Sequence, residues 1–238
     1  MKPELAVAPD EVAGVRIPRT ALATLAVENA RASLAPVLVG HARRVFVFAS
    51  LSARRERHVC DAEALYVSAM YANMGLSPAY AHSQLRYEVD SADAARALLA
   101  GIAAYMADDV WRAIALHTTP GIPEHVSPLA RLLAQGAQTD LVGANYDAYT
   151  CAEREAILAA YPREATFNED MIAAIGRGVG HRPQTTSGTW SADILARLDP
   201  DYCRLNFCGL ILGSRWSQPD RHAFSHSHSH SHSSRLKP

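Results

Sequence analysis

Apolar residues recur at three- and four-residue steps along most of this chain, and alternating β-branched runs are few. That period places one face of a helix against a core. From Thr20 to Leu34, behind Pro18-Arg19, the stripe is Leu22, Leu25, Ala26 and Ala30. From about Ala42 to Arg57, Val45, Phe46, Ala49 and Leu51 face inward, while Arg43, Arg54 and Arg55 face water. Asp61 caps a third helix running through Met74, with Gly75 at its C-terminal stop. Asp90-Ser91 opens a fourth, Ala92 to Met106, and Asp108 to His117 forms a short fifth.

Ser127-Pro128 is a start signal, with proline at the first helical position, for a helix ending near Gly136. Thr150 with Glu153 three residues on fits a capping box for a helix to Ala160, stopped by Pro162. Asn168 caps a last segment, Glu169 to about Ile175, which Gly176 and Gly178 end; with Gly180 they form no dinucleotide fingerprint. Leu210-Ile211-Leu212 is too short to argue for a strand. The predicted fold is all-α: an N-terminal extension at 1–17, one helical bundle at 18–216, and a Ser/His-rich tail at 217–238. The tail alternates Ser and His from Ser225 to Ser234, through His226, His228, His230 and His232. It buries no core and is expected to be disordered. It reads either as a native metal-binding tail or as an appended affinity tag, and stands apart from any catalytic site.

A chain of 238 residues, 49% hydrophobic and 20% charged, is ordinary for a globular protein with a sizeable core. Its formal charge of -1 supplies no basic field, which argues against nucleic acid as a partner. No apolar run reaches the ~18 residues of a membrane span. The start, Met1-Lys2-Pro3-Glu4-Leu5, lacks the layout of a secretory signal, so the cytoplasm is the expected compartment. Cys60, Cys151, Cys203 and Cys208 form no Cys-x-x-Cys pair and are expected as structural thiols. Cys203 and Cys208 have half a zinc-site spacing with no second half. His58 and His82 sit among polar residues and read as exposed. Arg43, Arg44, Arg54, Arg55 and Arg57 read as a solvated helix face, with anion binding as the alternative.

Several segments occur in an order that resembles the HD-domain metal-dependent hydrolases grouped with cyanamide hydratase. They are His41-Ala42-Arg43-Arg44-Val45-Phe46, Asp61 to Val67, Arg86-Tyr87-Glu88-Val89-Asp90-Ser91-Ala92-Asp93, Ala115 to His125, Asp140-Leu141-Val142-Gly143, and His181-Arg182-Pro183. Asn206-Phe207 with Gly213-Ser214 extend the resemblance toward Trp216. It implies a single HD-domain helical bundle with a divalent metal, zinc or iron, held by His, an adjacent His-Asp, and a final Asp. On this chain the first His falls on His41 and the last Asp on Asp140. The central pair falls on Ala72-Asn73, inside the apolar run from Leu65 to Leu76. His117 matches a polar position near the metal; Glu88 and Asp90 match an acidic motif that lines or organises the pocket.

In that family the metal-bound water adds to a small nitrile, or attacks a small amide or ester. Ala72 offers no donor, and Asn73 offers a neutral carbonyl oxygen that binds zinc or iron poorly. With only His41 and Asp140 left, the expectation is a metal bound weakly or not at all. Three accounts stand: a natural pseudoenzyme keeping the fold for binding, a deliberate knock-out, or a site where His117 or His82 moves onto the ion. Taken bare, His41 also suits a capped helix start, His117 a loop anchor and Asp140 a helix cap. If the chain is active, His41 and Asp140 ligate, and His117, with Glu88 and Asp90, orients a small-molecule substrate or moves its protons. The reading from another class is a noncatalytic module that binds a small ligand or a protein.

Overall fold

The computed structural model describes residues 9–214. Residues 1–8 of the stretch 1–17 and all of 217–238, including the Ser-His alternation, lie outside the described residues. The chain divides into two compact units, Met1–Arg204 and Leu205–Pro238. Among the described residues the first unit holds nine α-helices and a small hairpin, in which β1 (Glu11–Val12) pairs antiparallel with β2 (Val15–Arg16). The helices are α1 (Ala21–Ser33), α2 (Pro36–Arg55), α3 (Ala62–Tyr71), α4 (Tyr87–Ala100) and α5 (Ala107–Leu116). They continue with α6 (Pro128–Val142), α7 (Cys151–Ala160), α8 (Phe167–Val179) and α9 (Ser191–Leu198). In the second unit α10 (Phe207–Leu212) is capped by Asn206, whose side chain accepts from the Gly209 N–H at 3.2 Å. The fold is all-α, as the periodicity predicts. No helix among the described residues is long and apolar enough to cross a membrane.

Local caps form where the sequence places them. Thr20 Oγ1 accepts from the Ala23 N–H, and Asp61 Oδ1 accepts from the Glu63 and Ala64 N–H groups. Thr150 and Glu153 make the reciprocal capping box. Each cap satisfies donors that the first helical turn leaves free.

The centre of the bundle is α2, which packs against α3, α6 and α8. It is not one-sided. Every residue from Arg44 to Ala49 is buried, so a helix surrounded on several faces replaces the predicted amphipathic one. It also starts at Pro36 rather than Ala42, with proline at the first turn. Helix α6 lies close against it because Gly136 has no side chain. A Cβ there would sit 2.6 Å from the Val45 carbonyl oxygen. Gly136 is therefore a packing residue in mid-helix, and α6 runs on to Val142.

Other predicted limits move for comparable reasons. Asp90 and Ser91 do not open α4, which starts at Tyr87; their side chains are spent on tertiary partners. Ser91 Oγ accepts from the Gly75 N–H at 2.8 Å, and Asp90 pairs with Arg182. The residues after Ala100 form a separate 3-10 turn, Ala104–Met106. Helix α3 stops at Tyr71, and Ala72-Asn73 lead into a 3-10 turn at Met74–Leu76. Gly75 sits in that turn because its backbone touches α4; a Cβ would lie 2.1 Å from the Tyr87 carbonyl oxygen. Gly176 and Gly178 are inside α8, under Leu198 and Leu76, and Asn168 lies past the start of that helix at Phe167. Helix α9 and the hairpin lie beyond the predicted elements. Leu25 is 38% exposed, and Ala23 takes its place in the stripe. The four cysteines are free thiols.

Candidate functional site

His41 enters the bundle from α2 and Asp140 from α6, near the point where Gly136 lets the two helices meet. The two side chains are in contact: His41 Nδ1 donates to Asp140 Oδ2 at 2.7 Å. Arg44, one turn along α2 from His41, takes the rest of the carboxylate. Its Nε donates to Oδ1 at 2.6 Å and its Nη2 to Oδ2 at 3.1 Å. Nη1 is used as well, donating to the carbonyls of Tyr161 at 3.3 Å and Pro162 at 2.9 Å. The guanidinium lies 4.8 Å from the centroid of the Phe167 ring. Arg44 is 1% exposed, so it belongs to the site and not to a solvated face. Burial raises the Asp140 carboxyl, but the hydrogen bonds and charges of His41 and Arg44 outweigh this and hold it below the usual range.

A small cavity opens beside His41. Asn73, Tyr87, His117, Thr118 and Trp190 are among its other walls. It offers about 20 Å³ to the centre of a water-sized sphere. That is room for about one water molecule. His117 ends α5, and its Nδ1 donates to the Ile114 carbonyl at 2.7 Å, leaving Nε2 as an acceptor. The Tyr87 ring stands edge-on to it, centroids 6.3 Å apart. Burial pushes the His117 imidazole down to about 4; the bond to Ile114 opposes this and the nearby His41 adds to it. His117 is a neutral ring at physiological pH.

The two acidic residues go to different places. Glu88 lies beneath the cavity wall and accepts a hydrogen bond from Thr118 Oγ1; burial raises its carboxyl above the ordinary value. Asp90 does not line the cavity. It accepts from Ser83 and pairs with the fully buried Arg182, which also donates to the carbonyls of Gly75, Leu85 and Gly178. Ala72 is buried and carries no donor, and Tyr71 turns toward α1, where its hydroxyl accepts from Asn29 at 2.8 Å. His58 and His82 are exposed. Arg44, Thr118 and Arg182 escape the sequence reading. Arg44 carries a usable signal, since a residue three after His41 shares its helix face.

These residues do not fit a zinc or iron ion. Both Asp140 oxygens are occupied, and a cation there would sit against the Arg44 guanidinium. Among the described residues no group of three or more His, Cys, Asp and Glu side chains is placed to hold a metal.

The state of His117 has a thermodynamic consequence. Between pH 6.5 and about 4 the unfolded chain takes up a proton there that the folded chain refuses. Stability from this residue is complete above pH 6.5 and falls on acidification, by about 2–3 kcal/mol at pH 4.5. Urea unfolding at pH 7.5 and 4.5 should show this loss in the parent chain and not in a His117→Gln variant. Equal losses in both would place the ring in water. Asp140 adds its own acid sensitivity lower, as pH falls through 3.8 and below. A scan against protein-family models and a search of curated proteins both return no match to this chain.

Proposed function

We propose that this chain is a binding module on a fold of the HD-domain, cyanamide hydratase-like kind, and that it does not turn over substrate through a metal. The supporting observation is the state of Asp140, the last ligand by resemblance, whose carboxylate is fully engaged by Arg44 and His41. A metal would have to break a buried, charge-assisted pair before it gained its first oxygen ligand. The cavity beside His41 adds a size argument, since one water fills it. The convergence of His41, Asn73 and His117 on that cavity supports descent from a metal-dependent hydratase or hydrolase of small nitriles, amides or esters.

The test uses the full chain with His222, His226, His228, His230 and His232 changed to Ser, so that the terminal histidines contribute no metal. After exposure to zinc or ferrous iron and dialysis, elemental analysis should find far less than one ion per chain. The double reversion Ala72→His, Asn73→Asp should raise occupancy toward one. Tight stoichiometric metal in the unreverted chain would overturn the noncatalytic reading. The same reversion combined with Arg44→Gln, which frees the Asp140 carboxylate, should reach one ion per chain, and a chain so altered that still takes no metal would overturn the kinship with the HD family.

A further inference from the structure

A separate groove on the other side of Arg44 is of ligand size. It has a volume of about 510 Å³ and lies between the α1–α2 junction and the segment joining α7 to α8. Small-molecule sites fall at roughly 300–1,000 Å³. Its apolar walls include Leu34, Val37, Tyr161 and Phe167, of which all but the half-buried Val37 are buried.

Three arginines reach this groove: Arg31, Arg43 and Arg44. Arg44 is spoken for, with every guanidinium nitrogen hydrogen-bonded inside the protein. Arg31 and Arg43 are different. Neither pairs with a carboxylate among the described residues, although Arg43 is half-buried. The Arg43 guanidinium lies 5.5 Å from the centroid of the Tyr161 ring. Burial, and then the charge of Arg31, push its pKa down from the ordinary value. Two cations side by side over apolar walls make a site that lacks an anion.

The rim limits how much negative charge fits. Glu164 and Asp170 also line the groove, and both are exposed. They offset part of the field of the two arginines, which favours a single negative charge over a phosphate dianion. A carboxylate matches the planar fork of a guanidinium, and a hydrocarbon body matches the walls.

We infer that this groove binds a small organic monoanion, a carboxylate carried on an apolar body, held by Arg31 and Arg43. The inference rests on the reading of this chain as a binding module and names its site and ligand class.

Hexanoate is the probe, titrated into the full chain by calorimetry. Saturable one-to-one binding is expected. Arg31→Glu and Arg43→Gln should each weaken it at least about tenfold, a loss of one strong charge-assisted contact. Arg31 is exposed on the last turn of α1, so its substitution leaves the fold intact even if the change at Arg43 does not. Hexanamide, with the same body and no charge, should bind at least about tenfold more weakly, as should acetate, which lacks the body. Absence of saturation, or equal affinity in the Arg31→Glu variant, would overturn the site. Inorganic phosphate binding as well as hexanoate would overturn the ligand class. Failure here alongside the expected low metal occupancy removes only the groove proposal. Hexanoate binding alongside stoichiometric metal removes only the noncatalytic reading.

Discussion

Asp140→Ala is expected to cost about 3–5 kcal/mol of folding stability, because it strands the buried guanidinium of Arg44. The two side chains are 2% and 1% exposed, and Arg44 is held between α2, α6 and the carbonyls of Tyr161 and Pro162. Removing the carboxylate deprives Nε and Nη2 of their acceptors and His41 Nδ1 of its own. A paired replacement behaves differently. Arg44→Met with Asp140→Leu removes both charges and refills the space, and it should recover most of the loss, since buried pairs contribute little beyond an apolar pair of similar volume. Arg55 with Glu153, 2.5 Å apart and partly exposed, serves as the comparison; Arg55→Ala should cost about 1 kcal/mol or less. Urea denaturation of the four proteins measures all of this. An Asp140→Ala loss no larger than that of Arg55→Ala would mean that Arg44 reaches solvent and that the network is not buried.

The second large effect belongs to Arg182. It is fully buried and ties three stretches of chain together: Gly75 after α3, Leu85 before α4, and Asp90 within α4. Its bonds to Gly75 and Leu85 measure 2.5 and 2.8 Å. Arg182→Met keeps much of the volume but leaves the Asp90 carboxylate with only the Ser83 hydroxyl as a donor and deprives those carbonyls of theirs, at a cost of about 3–5 kcal/mol. For a domain of this size that is a fall in melting temperature of roughly 10 °C or more. Asp90→Asn retains an acceptor for Arg182 and should cost less than half as much. This ordering follows from Asp90 holding the α3–α4 junction in place. If thermal unfolding left Arg182→Met within a degree or two of the parent, the junction would be held by its apolar contacts alone.

Particular residues show where the sequence is readable. Asp61, Ser127-Pro128 and the Thr150–Glu153 pair mark helix starts correctly, because a cap bonds within three residues of itself. Asp90-Ser91 look like the same signal and are not one; their partners, Arg182 and Gly75, lie 92 and 16 residues away. Gly136 and Gly176 look like helix ends, yet each is the point where another segment packs against a continuing helix, while Gly178 does lie one residue from the end of α8 and packs on Leu76. The intrinsic cost of an interior glycine, about 1 kcal/mol, is offset there by close packing.

The candidate site divides the same way. His41, Asp140 and His117 could be picked out from motif order, and the fold brings them to one region. That Arg44 closes the carboxylate was signalled only by its place three residues after His41, and an arginine beside Arg43 on a charged helix otherwise reads as solvent-facing until the helices around it are known.

Sequence by itself determined the helical class, several caps and the identity of the polar residues worth watching, since each depends on neighbours within a turn or two. Tertiary structure alone decided which of those polar groups are satisfied, by whom, and what remains free for a ligand. The reason is distance along the chain: Arg44 and Asp140 are 96 residues apart, and only the packing of α2 on α6 puts them 2.6 Å from each other.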